Sequence, residues 1–159
     1  MSHLQLFYVE PEKVFPDHFV LVGAEAHHAI QVLRHQPGDD IHATDGNGRH
    51  YSGRIIAVKK NQVKVMLANV TDRVGEPKIY LVLALAVPKG SHADWVIEKA
   101  TEIGMSEFQP LLTRYSLVDP SERIERWQLK ARAAMKQCGR SFCPVINHPV
   151  KFNDYLKIL

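Results

Sequence analysis

Ile79-Tyr80-Leu81-Val82-Leu83-Ala84-Leu85-Ala86-Val87, halted by Pro88-Lys89-Gly90, is the stretch that decides the fold. An uncharged run of this length reads as a strand covered on both faces, the habit of parallel sheets. Ser91 and Asp94 follow as an S-x-x-D helix start, a shorter-armed relative of the capping box. Ala93, Val96, Ile97, Ala100 and Ile103 recur at helical spacing, and Gly104 falls where a left-handed C-cap is wanted. Residues 108–112 form a second apolar run. Strand, helix and strand of this size predict a right-handed βαβ unit, the seed of an α/β domain.

Downstream, Thr113-Arg114-Tyr115-Ser116 is the loop leaving the second strand. Ser121 precedes a predicted helix to about Cys138, with Ile124, Trp127, Ala131, Ala134, Met135 and Cys138 on one face and Gly139 ending it. Val145 and Ile146 begin a third short strand. Phe152, Tyr155, Leu156 and Leu159 then fall at i, i+3, i+4 and i+7, a helix that stops without a cap. Three strands make a thin sheet against the usual five or so, so the reading is that the sequence ends before its domain does.

Upstream the pattern changes. Residues 4–9 and 19–22 are strand candidates, separated by a loop carrying Pro11 and Pro16. Ala26, Ala29, Ile30 and Leu33 predict one short amphipathic helix over 24–34, ended by Pro37-Gly38. Residues 41–44, 49–58 and 62–70 alternate as strands, joined by Asp45-Gly46-Asn47-Gly48 and Lys59-Lys60-Asn61, strong hairpin signals. The first seventy residues therefore predict a small, mostly antiparallel barrel or curved sheet. The polar stretch 71–77 reads as a linker, leaving 78–159 as the α/β part.

The chain has 159 residues, 45% hydrophobic and 23% charged, with a net charge of +3, an ordinary globular composition. No apolar run approaches the ~20 residues of a membrane span. The N-terminus does not read as a signal peptide. Cys138 and Cys143 suggest reduced thiols and a cytoplasmic location.

An α/β unit invites nucleotide chemistry, yet no G-x-G-x-x-G follows the 79–87 run and no P-loop occurs. Pro88-Lys89-Gly90-Ser91 reads as a strand-to-helix turn. Lys89, Arg114 and Ser116 all leave the carboxyl ends of strands, where open α/β sheets bind ligands. They suit an anionic ligand such as a phosphate or an RNA backbone, or are solvated loop charges. His27 and His28 would point about 100° apart on a helix and cannot share a metal ion; without H-x-x-x-H or C-x-x-C spacing, no metal site is expected. Arg123, Arg126, Lys130, Arg132 and Lys136 make either an RNA-binding ridge or a solvated helix face diluted by Glu122 and Glu125.

The set His27-His28-Ala29-Ile30-Gln31-Val32-Leu33-Arg34, Pro37-Gly38-Asp39, Asp45-Gly46, Trp95-Val96-Ile97-Glu98-Lys99-Ala100-Thr101-Glu102-Ile103-Gly104 and Gln137-Cys138-Gly139-Arg140 with Pro144-Val145-Ile146 resembles one family along nearly the whole chain. That family is the bacterial ribosomal RNA small subunit methyltransferase E family, of the SPOUT class. The resemblance implies a PUA-like RNA-binding barrel (1–70), a linker (71–77) and the first part of a SPOUT-type α/β knot domain (78–159). It implies methyl transfer from S-adenosylmethionine to N3 of a uridine in 16S rRNA, by a homodimer in the cytoplasm. The family's Gly-Pro-Glu-Gly-Gly cofactor loop does not occur here, so this segment is expected to hold no cofactor-binding residues, not to bind S-adenosylmethionine, and to be inactive alone. Many members read Glu-Arg-Ser where this chain has Arg114-Tyr115-Ser116.

The expected RNA contacts are Arg34, Lys89, Arg114, Ser116 and Arg140, with the catalytic base unassigned. Lys99, Glu102 and Gln137 match family motifs, but they and Arg140 sit near helix C-termini, which return to the amino edge of the sheet. A Glu102–Arg140 ion pair locking two helices is the structural alternative there. Arg34 could equally serve its helix dipole. A non-catalytic RNA-binding protein is the alternative function; a nucleotide-dependent metabolic enzyme would need the glycine fingerprint that is missing.

Overall fold

A computed structural model describes residues 5–88, 90–114, 116 and 120–158. The chain divides into two compact units, one of Met1–Gly75 with Gly139–Phe142 and one of Glu76–Cys138 with Cys143–Leu159.

The first unit is built on a five-stranded sheet of β1 (Leu6–Tyr8), β2 (His18–Val22), β3 (Asp40–Thr44), β4 (Arg49–Lys59) and β5 (Gln62–Asp72), in the order β1-β3-β4-β5-β2. β1 pairs parallel with β3 and the other pairs are antiparallel. Alternation sends Phe19 and Leu21, Ile41 and Ala43, Tyr51 and Ile55, and Val63 and Val65 into one core, while the residues between them face outward. β4 and β5 do not run flush: Ser52 pairs with Asn69 and Gly53 with Leu67, leaving Ala68 bulged, and Ile56 is bulged between Ile55 and Ala57.

The Asp45-Gly46-Asn47-Gly48 turn is organised by one buried carboxylate. Asp45 Oδ1 accepts from the N–H groups of Asn47 (2.8 Å) and Arg49 (3.3 Å), and Oδ2 accepts from Tyr51 Oη (2.9 Å). Burial, and then the Asp45 carboxylate, push the Tyr51 phenol up to about 12. The Gly139–Phe142 strip lies against this turn, with Gly48 N–H donating to Ser141 O (3.0 Å) and Ser141 N–H to Val74 O (3.0 Å). Gly48 has φ 105°, and a Cβ there would stand 2.3 Å from Phe142 Cζ, so a larger residue would be strained and would displace the Phe142 ring.

The helix predicted over 24–34 forms only in part. α1 (Gly23–His27) passes into a π-turn over His28–Val32, closed by Leu33 N–H to His28 O (3.0 Å) and His35 N–H to Ala29 O (2.9 Å). The wider turn keeps Ala26 and Ala29 on the core and releases Arg34 into the left-handed region at φ 59°.

The second unit has a sheet of β6 (Val82–Ala86), β7 (Glu107–Leu112), β8 (Val145–Ile146) and β9 (Val150–Lys151). β6, β8 and β9 each pair parallel with β7. α2 (His92–Glu102) connects β6 to β7, the expected βαβ unit, and α3 (Ile124–Cys138) packs beside α2. Ala93, Ile97, Ala100, Ile124, Trp127 and Ala131 meet Phe108 and Ile146 in a single core. A short α4 (Phe152–Tyr155) follows β9. No helix among the described residues is long and apolar enough to cross a membrane.

Two expectations are corrected here. The 79–87 run is not covered on both faces. Pairing with β7 begins only at Val82, Leu83 and Leu85 turn toward the helices, and Val82, Ala84 and Ala86 stay exposed on the other face. Nor does Asp94 cap α2. Ser91 makes no side-chain cap bond; Asp94 is buried and accepts from Trp127 Nε1 (3.1 Å) and from the Arg126 guanidinium. A carboxylate facing a buried indole N–H has more to gain there than from a helix-end amide that water can reach.

Candidate functional site

The carboxyl ends of β6, β7 and β9 open on a cleft of about 1110 Å³ lined by Ala86, Leu112, Thr113, Arg114, Lys151, Phe152, Asn153, Asp154 and Lys157. Parallel strands place this edge where α/β sheets take ligands, because the chain leaving each strand there is free to carry side chains chosen for binding. Ser116 fixes the departure from β7, its Oγ accepting from Thr113 N–H (2.9 Å) and its own N–H donating to Thr113 O (3.0 Å). Arg114 is held exposed on that turn. Lys151 ends β9, and the first residues of α4 supply Asn153 and Asp154.

Among the described residues the lining carries three cations, Arg114, Lys151 and Lys157, and one carboxylate, Asp154. Lys157 Nζ lies 2.7 Å from Asp154 Oδ1, and that bond, with Lys151 adding its charge, holds the Asp154 carboxyl below the usual carboxylate range. A carboxylate stabilised in this way is a poor proton acceptor, so Asp154 is not suited to act as a general base. The guanidinium and ammonium groups suit a phosphate.

The expected site residues part company. Arg114 and Ser116 share one turn, as their common position after β7 required. Lys89 lies outside the described residues. Arg140 is corrected as an RNA contact: it is only 2% exposed and has no surface to offer a phosphate. Glu102 is engaged on its own helix, where Lys99 Nζ bonds Glu102 Oε1 (2.8 Å) and Glu98 Oε1 (3.0 Å). Those carboxylates, Glu102 first, raise the Lys99 ammonium above its ordinary value, which marks it as an ion-pair member of α2. Gln137 is exposed near the end of α3. Lys151, Asn153, Asp154 and Lys157 are the residues that sequence reasoning missed. Lys151 ends β9, which spans only Val150–Lys151 and is too short for alternation to reveal, and the other three follow from that placement.

Arg34 is exposed on the first unit and holds a backbone conformation that costs a non-glycine residue about 1–2 kcal/mol. Arg34→Gly is expected to leave the unit as stable or up to about 1 kcal/mol more stable in urea unfolding.

Residues 75–159 match the family model of the RNA methyltransferase domain, and residues 21–67 that of the RNA methyltransferase PUA domain. The chain is 32% identical over 150 residues to ribosomal RNA small subunit methyltransferase E of Synechocystis sp., covering 94% of this chain and 49% of that protein. It is 28% identical over 144 residues to the protein of the same name from Bacillus subtilis, covering 87% and 56%. A putative methyltransferase from Legionella pneumophila, solved with bound cofactor SAM, superposes with a TM-score of 0.83 at 26% identity over 98% of this chain and 66% of that one. The chain thus spans about half the length of the curated relatives it matches.

Proposed function

Because the chain belongs to the RNA methyltransferase family, we propose that it is the RNA-holding part of an enzyme that methylates N3 of a uridine in 16S rRNA from S-adenosylmethionine. Residues 1–70 act as a PUA-like RNA-binding module and 71–77 as the linker. Residues 78–159 are the opening part of the methyltransferase domain, and the working enzyme is a cytoplasmic homodimer bound to the small ribosomal subunit. The observation that carries this reading is the cleft at the carboxyl edge of the second unit's sheet, whose described lining brings Arg114, Lys151 and Lys157 together with Asp154, itself engaged by Lys157.

The methyl donor brings a sulfonium, and the three described cations of this lining do not favour a further positive charge beside them. The cleft fits a phosphodiester, and no methyl-transfer step is assigned to its residues. Uridine N3–H is a weak acid, so the reaction needs negative charge stabilised on the uracil oxygens. A cation such as Arg114, brought beside O2 or O4 by a phosphate held at Lys151, supplies that stabilisation electrostatically. Lys89, outside the described residues, is proposed as a further RNA contact.

The test is filter binding of the 159-residue chain to 16S rRNA and to a shuffled transcript of equal length, over a salt series. Tighter binding to 16S rRNA is expected, with log K falling against log[salt] at a slope of about −2 for three single-strand phosphate contacts. Equal binding to both transcripts, or none, would remove the assignment. Calorimetry with S-adenosylmethionine should show no saturable site on this chain, and tight binding would contradict the separation of donor and RNA residues.

A further inference from the structure

β6 lies at one end of the second unit's strand order, and its register with β7 decides which of its backbone groups are used. Leu81 O accepts from Glu107 N–H (3.2 Å), and Val82 lies across from Glu107. Residues 81, 83 and 85 therefore turn their N–H and C=O groups toward β7. Strand geometry turns those of Val82, Ala84 and Ala86 the opposite way. Among the described residues no strand pairs with that side, and these three make no other backbone hydrogen bond. All three are exposed.

Proteins blunt such an edge with a charge, a proline or a bulge in the strand. β6 has none of these: Val82–Ala86 carries no charge and no proline, and its register with β7 is unbroken. Ile79 and Tyr80 just ahead of it are exposed as well. A row of unmet donors and acceptors at strand spacing also selects what can cover it, because only another extended backbone presents their complement in step. Turned about a two-fold axis at Ala84, β6 is its own complement. Ala84 meets Ala84 and Val82 meets Ala86, all on the open face of the sheet, and no charged side chain of 79–87 meets its own copy. The small side chains at the centre leave the two backbones free to close.

We propose that β6 is the seam of a homodimer, pairing antiparallel with β6 of a second copy about Ala84. The pairing completes about six backbone hydrogen bonds, two at each facing pair, and joins the two sheets into one. It also brings the exposed Val82, Ala84 and Ala86 of both copies into a single apolar strip on the face away from α2 and α3. Two-fold pairing uses the same surface on both copies and closes at two, whereas a parallel pairing would leave one edge open for further growth. The inference rests on the reading that the chain works as a homodimer, and adds which strand joins the copies and in what register.

The test is sedimentation velocity of the 159-residue chain over about a hundredfold range of concentration, since a contact of this size dissociates on dilution. The parent is expected to pass from monomer to dimer. Ala84→Lys and Ala84→Glu each set like charges directly opposite one another, with Cα atoms about 5.5 Å apart, and are expected to weaken dimerisation about tenfold or more. Mixed in equal amounts, the two variants should recover a dimer, because a strand paired to itself about Ala84 brings the lysine to the glutamate. Amide hydrogen exchange on the parent is the independent readout: Val82, Ala84 and Ala86 should gain protection as concentration rises, while Leu83 and Leu85, already turned to β7, should not. A dimer that Ala84→Lys leaves as tight as the parent's, with those three amides unprotected, overturns the seam and leaves the homodimer reading standing. A chain that stays monomeric throughout removes both and leaves the edge to a strand of another polypeptide. A mixture that fails to dimerise, or growth past two copies, overturns the two-fold pairing. Exchange is read on the parent chain, so a variant that fails to fold does not remove the test.

Discussion

Trp127→Ala is expected to cost the second unit about 3–5 kcal/mol, the largest stability loss of any single side chain there. Trp127 is fully buried where α2, α3 and β7 meet. Its indole stands edge-on to Phe108, with centroids 5.6 Å apart and planes at 88°, and its N–H is satisfied only through Asp94. The truncation removes a large apolar surface, leaves a cavity, and strands the Asp94 carboxylate beside Arg126. Asp94→Ala acts on the same lock from the other side, leaving a buried indole N–H unpaired at a cost of about 1–3 kcal/mol. The exposed Arg126 end adds little, because solvent screens it. Asp94→Asn keeps an acceptor and should recover most of that loss. Urea unfolding followed by circular dichroism reads all three. Equal losses for alanine and asparagine at position 94 would show that charge, rather than the indole hydrogen bond, is what matters there.

The second large effect is on binding. Arg114→Glu with Lys151→Glu reverses two of the three cations in the carboxyl-edge cleft. The pair is expected to lower 16S rRNA affinity about 100-fold at low salt, a change of several kcal/mol of the kind that facing like charges produce. The salt slope should shrink by about 1.4, two single-strand contacts' worth. Both side chains belong to exposed residues, so the melting temperature should stay within about 2 °C of the parent. An unchanged affinity and slope would move the RNA off this edge. Lys157 is a less decisive choice, since reversing it also frees Asp154.

Much of this architecture was legible in the residues themselves. The apolar 79–87 run, the helical spacing after it and the second run at 108–112 define a βαβ unit by periodicity alone, and β6, α2 and β7 form it. Asp45-Gly46 and Asn47-Gly48 mark their hairpin because a positive φ is needed there, and Gly46 (72°) and Gly48 (105°) adopt it. What was not legible was set by tertiary partners. Nothing local in Asp94 says that its carboxylate will leave the helix end for an indole 33 residues away. The apolar run likewise carries no mark of which residues find a partner strand. For the site, Arg114 and Ser116 follow from topology, since a loop after a parallel strand must emerge at one edge. Lys151 to Lys157 do not, because the strand that leads into them is only two residues paired to β7.

The strip Gly139–Phe142 has a practical consequence for anyone dissecting this protein. A gene cut after residue 75 would remove the carbonyl of Ser141 that receives the Gly48 amide, and the ring of Phe142 that rests on Gly48. The hairpin tip would then face solvent with an unfilled groove and a loosened turn. The smallest faithful version of the first unit is therefore discontinuous in sequence, and a minimal fragment would need those four residues grafted back through a short artificial bridge.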